Sequence, residues 1–465
     1  MELRQHAARS GGPARPSAGG AVLLVVCIAT LLAVMDYSAP VTVLPQTAAG
    51  LGAGPVGQVW MINGIALGLA ATVLVSGSVA DNFGRRRIFL VGTGLLGLAS
   101  LGSALAQEPL LFIAARVLQG LASAAIMSAG LGLLGHAFRT GPERGKATAR
   151  WGATLGAGIA LGPLVSGALA ELVNWRAYHV VAAVAAVALV PFGAWLLDES
   201  RSSRPRPVDW AGTVALAAGL ALLLVAVTDG RTGWLRTPVL LPLVLGLLLL
   251  GAFVVVERRS RQPMLELALF RSPMFRLSAL GGLVTGLALL GPMSYLPTQL
   301  QGPMRLGPLA AAGIFAVWSG MAFLVALQMR RFGARHSSAK LLVVGLLLTA
   351  AGEAALLGLV GSGTWSRALP GLAVAGIGTG VLNATLARLA VESVPADHVA
   401  MGSGASNTAR YVGASLGLAL VGSIASSGVR LGDPADVTVA VAALVAVLGA
   451  VLAATQRRRL AVATG

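Results

Sequence analysis

Two charged side chains stand where a charge is least welcome. Asp36 falls inside an apolar run from 20 to 45, and Arg116 inside another from 109 to 136. A charge surrounded by hydrocarbon costs several kcal/mol unless it is paired, hydrated or neutralised, so residues of this kind point to ion-coupled work. Asp36 is about nine residues from the far end of its run and Arg116 about seven from the near end of its own; at ~1.5 Å per helical residue their depths match. Arg116 would favour the ionised carboxyl and burial the neutral one, so a cavity opening alternately to each side lets Asp36 bind and release a proton. A permanent structural ion pair is the alternative. Glu353, in the middle of the run 341–360, is the other deep acid: a coupling candidate, or a protonated side chain bonded to a neighbouring helix. Arg410, about ten residues into 400–426, can meet a carbonyl or snorkel to the surface. Other chemistries lack their residues. Cys27 is the single cysteine, which excludes a disulfide framework and a cysteine metal site. No nucleophile or metal cluster is apparent, and no Gly-x-x-x-x-Gly-Lys loop for ATP, so neither an enzyme nor a metal or cofactor is expected.

The elements that must position these groups follow from composition. With 56% hydrophobic and only 11% charged residues, a 465-residue chain cannot divide into a core and a wetted surface, so a bilayer must be its solvent. Crossing about 30 Å of hydrocarbon takes about 20 apolar residues per helix. Fourteen such stretches recur: 20–45, 56–80, 88–106, 109–136, 146–171, 177–197, 208–228, 238–256, 277–298, 309–329, 341–360, 368–387, 400–426 and 437–455. Continuous apolar runs such as Leu240 to Leu250 do not alternate as barrel strands do, so an all-α integral membrane protein is expected. Basic residues collect in short cytoplasmic loops. With both termini cytoplasmic, inner segments hold 26 of the 34 basic residues and outer loops six, leaving Arg116 and Arg410 within spans. The net charge of +17 is thereby explained by topology and is too dispersed for a nucleic-acid surface. Residues 1–19, rich in Gly, Ser, Pro and Arg, read as a disordered tail, and the run that follows as a retained helix.

Motifs narrow the class. The connection between the second and third spans reads GSVADNFGRRRIFL, in which Gly77, Asp81, Gly84, Arg85 and Arg86 resemble the loop signature of the major facilitator superfamily. Those glycines suit close backbone contact, and the charges a network that locks one conformation. ARVLQG in the fourth span resembles the Arg-x-x-Gln-Gly motif of that superfamily, and GIALGPLVSG in the fifth its antiporter motif, carried by Gly158, Gly162, Pro163 and Gly167, with Ser166 in place of a glycine. MDYSAPVTVLP at Met35, VDWAGT at Val208 and PMLELALFRSPMF at Pro263 resemble the fourteen-helix drug/proton antiporter subfamily. MRRFGARHSSAK, with Arg330, Arg331, Gly333 and Arg335, is similar to a degenerate second copy of the loop.

The resemblance implies a major facilitator fold. The expected divisions are a cytoplasmic tail 1–19, a six-helix half 20–197, a two-helix insert 198–257, a second half 258–455 with an amphipathic segment before it, and a tail 456–465. It implies substrate contacts from the first, fourth, ninth and twelfth spans, with Tyr37, Met127, Met293, Tyr295, Gln299 and Asn383 as candidates; ordinary helix packing is the competing role for each. The expected activity is proton-coupled export of amphiphilic drugs or lipophilic cations, or of one metabolite or self-made antibiotic. Expected partners are the small-molecule solute, protons and the lipid bilayer, with no nucleic acid, in a monomer of a bacterial plasma (inner) membrane.

Overall fold

The computed structural model describes residues 18–138, 141–201, 208–230, 233–260, 263–332, 336–394, 399–426 and 433–464. All regular structure among them is helical. The first part of the chain forms α1 (Ala18–Ser38), α2 (Pro40–Leu51), α3 (Pro55–Phe83), α4 (Arg85–Leu105), α5 (Pro109–Ala137), α6 (Gly141–Leu172), α7 (Arg176–Leu196), α8 (Trp210–Asp229) and α9 (Thr237–Arg259). The rest forms α10 (Pro273–Thr285), α11 (Gly291–Met304), α12 (Pro308–Phe332), α13 (Ser338–Ala354), the four-residue α14 (Leu359–Ser362), α15 (Ala368–Glu392), α16 (Val399–Ser426) and α17 (Pro434–Thr464).

Proline opens many of these helices, as at Pro55 and Pro109, because its fixed φ suits the first turn and its missing N–H would be unpaired there anyway. Inside a helix the same residue breaks the ladder. The first span is accordingly two pieces, α1 and α2, parted before Pro40, and it continues to Leu51 rather than ending at 45. A π-helical stretch, Gly286–Leu290, precedes Pro292 and joins α10 to α11 into another span. Other boundaries differ from the sequence reading too. Residues 18 and 19 are helical, α4 begins at Arg85, and α17 runs past 455 to Thr464; the remainder of the tail 1–19 lies outside the described residues. The segment from Pro263 holds a short 3-10 turn, Leu267–Arg271.

Thirteen helices, some of them joined pieces, are long and apolar enough to cross a membrane among the described residues. The span expected at 400–426 is α16, which is 28 residues long but not among the thirteen. It packs against α3, α8, α10, α11, α15 and α17. A helix so enclosed need not be lipophilic, and α16 accordingly carries Asn407, Thr408 and Arg410.

Packing repeats along the chain. The neighbours α3·α5, α4·α5, α4·α7 and α1·α6 recur as α12·α15, α13·α15, α13·α17 and α10·α16. Two seams join the groups, α3·α16 and α6·α12, while α8 and α9 pack on each other, with α8 also against α3 and α16.

Candidate functional site

Asp36 and Arg116 meet, but not as an ion pair. Both are fully buried. The Arg116 guanidinium donates to the backbone carbonyl of Asp36 at 2.6 Å, to Gln119 Oε1 at 2.7 Å and to the Met61 carbonyl at 3.1 Å. The Asp36 carboxylate accepts instead from the Ser100 hydroxyl at 2.8 Å, which in turn accepts from Gln119 Nε2 at 3.0 Å. Four helices thus converge on one polar knot: α1 brings Asp36, α3 the Met61 carbonyl, α4 Ser100, and α5 Arg116 with Gln119. Asp36 Oδ1 and Arg116 Nη2 make no close hydrogen bond, and the Tyr178 hydroxyl of α7 lies near enough to the Asp36 carboxylate to donate to it. Buried polar atoms are ordinarily satisfied, so open valences on opposite charges mark a site able to take a proton or solute. Gly64 and Gly68 make room for this knot: a β-carbon on Gly64 would lie 2.9 Å from that of Arg116, and one on Gly68 would lie 2.9 Å from Gly120 Cα.

A second cluster lies along the α3·α16 seam. Tyr37, half-buried beside Asp36, faces Tyr411 with ring centroids 5.9 Å apart and is within electrostatic reach of both Arg116 and Arg410. Arg410 lies over the Tyr411 ring and donates to the side-chain carbonyl oxygens of Asn407 at 2.9 Å and Asn383 at 3.5 Å. Met127 and Trp60 line the adjoining apolar surface. Asn63 of α3 donates to the Ser415 carbonyl of α16 at 3.1 Å, tying the seam.

The substrate candidates therefore divide. Tyr37, Met127 and Asn383 come together. Met293 is 1% exposed inside the core of the second group, Tyr295 packs with the α2–α3 cluster, and Gln299 lines a small cavity with Leu356 and Val439. Helix facing explains the scatter, since these helices are apolar all round and sequence does not say which side meets the centre.

The α3–α4 turn carries the expected charge network. Gly84 has φ +109°, a left-handed conformation that disfavours a β-carbon, and a β-carbon there would lie 2.7 Å from the Glu199 carboxylate. Asp81 bridges Arg85 at 2.8 Å, the Arg86 amide donates to Glu199 Oε1 at 3.1 Å, and the Arg86 guanidinium donates to the Ala194 carbonyl. Gly77, in contrast, has open space where its side chain would be, so it makes no close contact. Glu199 escaped sequence reasoning; its signal was the pair of acids, Asp198 and Glu199, that follows the sixth span just ahead of three arginines. Arg330, Arg331, Gly333 and Arg335 of the second copy have side chains outside the described residues.

The antiporter motif packs α6 against the first span. A β-carbon on Gly158 would lie 2.7 Å from Val34 Cβ, and Gly162 sits against Ser38 and the Met35 carbonyl. Ser166 donates to the Ala39 carbonyl at 2.6 Å and lies 3.0 Å from the Thr42 hydroxyl, while Thr42 donates to the Pro163 carbonyl at 3.2 Å. The carbonyl that Pro40 leaves without its amide partner is that of Asp36, which accepts from Arg116; the Ser166 and Thr42 hydroxyls instead tie α6 to the first span. Gly167 faces Pro308 and Leu309 across the α6·α12 seam.

The chain is 34% identical over 421 residues to the puromycin resistance protein pur8 of Streptomyces alboniger, covering 87% of this chain and 81% of the relative. It is 31% identical to the cephamycin export protein CmcT of Amycolatopsis lactamdurans (94% and 91% covered) and 29% identical to the multidrug efflux pump LfrA of Mycolicibacterium smegmatis (88% and 81%). The crystal structure of the human organic anion transporter MFSD10 (TETRAN) has the same fold, with a TM-score of 0.63 at 15% identity, over 94% of this chain and 100% of that one. The profile of the Major Facilitator Superfamily matches residues 26–418 and 315–461. With that match over most of its length and the helix packing described, this multi-pass membrane chain belongs to the Major Facilitator Superfamily.

Proposed function

We propose that the chain exports amphiphilic drugs or lipophilic cations in exchange for protons, by alternating access. The observation that carries this reading is the buried knot of Asp36, Ser100, Gln119 and Arg116, in which a carboxylate oxygen and a guanidinium nitrogen make no close hydrogen bond. A proton arriving on Asp36 Oδ1 cancels the charge that a cationic solute would otherwise hold, so the two compete for one carboxyl. Tyr37, Met127 and Asn383, with Tyr411 and Arg410, offer adaptable area next to it. The turn residues Asp81, Gly84, Arg85 and Arg86 act as the conformational lock, and Gly158, Gly162, Pro163 and Gly167 hold the first span and the seam in contact. The names of CmcT, an export protein, and LfrA, an efflux pump, agree with export, and that of pur8 with antibiotic resistance.

The same reading counts α16 as a further span, which brings the total to fourteen, with 20–197 and 258–455 as two six-helix halves and 198–257 as an insert. The recurring helix pairs support it. Basic residues favour an inner-membrane orientation with both termini cytoplasmic, in a monomer. A narrower reading, export of one self-made antibiotic, is favoured by the names of the cephamycin and tetracenomycin C exporters.

The test uses energised inverted vesicles with a pH-sensitive dye and a panel of lipophilic cations and amphiphilic antibiotics. Proton release on adding substrate in wild type, lost in Asp36→Asn, supports antiport through Asp36. Release that persists in the variant moves coupling elsewhere, and response to a single compound selects the narrower reading.

A further inference from the structure

Glu353 lies fully buried on α13, and neither of its carboxylate oxygens has a hydrogen-bond partner. Among the described side chains, ionisable groups on the helices packed against α13 stand near their ends: Arg276 in the first turn of α10, Arg388 and Glu392 at the end of α15, Arg367 just before it, and Asp436 in the first turn of α17. An ionised carboxylate here would be stripped of water and unpaired, so this packing holds the neutral acid.

The internal repeat says what the position is for. Gly158 and Gly162 of α6 press on the carbonyls of Leu31 and Met35; Gly413 and Gly417 of α16 press on those of Leu283 and Leu287. A β-carbon on Gly120 of α5 would lie 2.3 Å from the Ile65 carbonyl oxygen, and one on Gly376 of α15 would lie 2.5 Å from that of Trp318. A β-carbon on Gly92 of α4 would lie 3.2 Å from the Ala122 carbonyl oxygen, and one on Gly345 of α13 would lie 3.3 Å from that of Gly378. In this register Asp36, Ser100, Arg116 and Gln119 correspond to Ala288, Glu353, Leu372 and Ala375. The second group lacks the acid on its first helix and the arginine, and carries a carboxyl where Ser100 grips Asp36. The buried, apolar Leu372 stands in place of Arg116.

We propose that Glu353 is a second proton-binding site, one that exchanges its proton in each transport cycle so that two protons move per solute. The proposal rests on the proton-coupled reading above. The backbone beside it is built to move: α13 ends one residue later, Gly358 takes a left-handed conformation (φ +71°), and its amide donates to Asp436 at 2.6 Å, coupling the break to α17. Backbone breaks at membrane depth are tolerated where they are enclosed by protein or reached by water, so opening at this break would hydrate Glu353 and release its proton.

Two measurements on the full chain in proteoliposomes test this. Infrared difference spectra between low and high pH should show a carboxylic-acid band that persists in Asp36→Asn and disappears in Glu353→Gln. Spectra identical in wild type and Glu353→Gln would overturn the proposal. The solute gradient balanced by a tenfold proton gradient at zero membrane potential, with a neutral substrate, should be about 100-fold in wild type and about 10-fold in Glu353→Gln, since each exchanged proton multiplies the ratio once more. Equal gradients in the two proteins would overturn it as well. The infrared arm needs no substrate, so absence of any drug-driven proton movement in wild type defeats the export reading separately.

Discussion

Gln301→Ala should loosen one side of the seam by an amount that the contacts define. Gln301, 8% exposed on α11, accepts from Gln46 Nε2 at 2.9 Å and donates to the Thr42 carbonyl at 2.6 Å, so one side chain ties α11 to α2 across the two groups. Each such bond contributes about 0.5–1.5 kcal/mol net, and together about 1–3 kcal/mol. If both break whenever this side opens, their loss raises the open population about 5- to 150-fold, because ~1.4 kcal/mol is a factor of ten. The assay places a cysteine at the buried Thr47, one turn from Val43, in a background in which the single native Cys27 is serine. Labelling by an impermeant maleimide then samples the open state, and its rate should rise by that factor in Gln301→Ala. A rate within twofold of the parent would refute the view that this side opens by parting α2 from α11.

Other substitutions separate packing from charge. Gly120→Val should cost about 3 kcal/mol by forcing α5 from α3, where a β-carbon would already lie 2.8 Å from Gly68 Cα, and thermal unfolding of purified protein reads the loss. Glu199→Ala should destabilise by about 1 kcal/mol through the bond to the Arg86 amide, whereas Arg87→Ala, a 3.9 Å pair with Arg87 70% exposed, should change melting by less than about 0.5 kcal/mol. Ser166→Ala should cost about 1 kcal/mol by removing its 2.6 Å bond to the Ala39 carbonyl, to which the Thr42 hydroxyl still donates at 3.3 Å, and Ser166→Gly no less, since what is lost is the hydroxyl rather than space.

Much of this molecule can be read from one dimension because lipid imposes a strong local rule. Long apolar runs must be helices, and in a chain with so few charges Asp36, Arg116, Glu353 and Arg410 stand out unaided. Gly84 was legible too, set between an acid and three arginines where the turn has a single residue. What stayed hidden is which neutral groups answer those charges. Ser100 is 64 residues from Asp36 and Glu199 is 113 from Arg86; neither type is unusual where it stands, so only folding reveals the pairing. Rotation about each helix axis was hidden for a related reason: with no polar stripe to orient it, Met293 turned into a core while Tyr37 turned to the seam. The enclosure of α16 and the carboxyl that α13 carries in place of the Ser100 hydroxyl are likewise properties of packed helices, because each depends on which neighbours lie close in space.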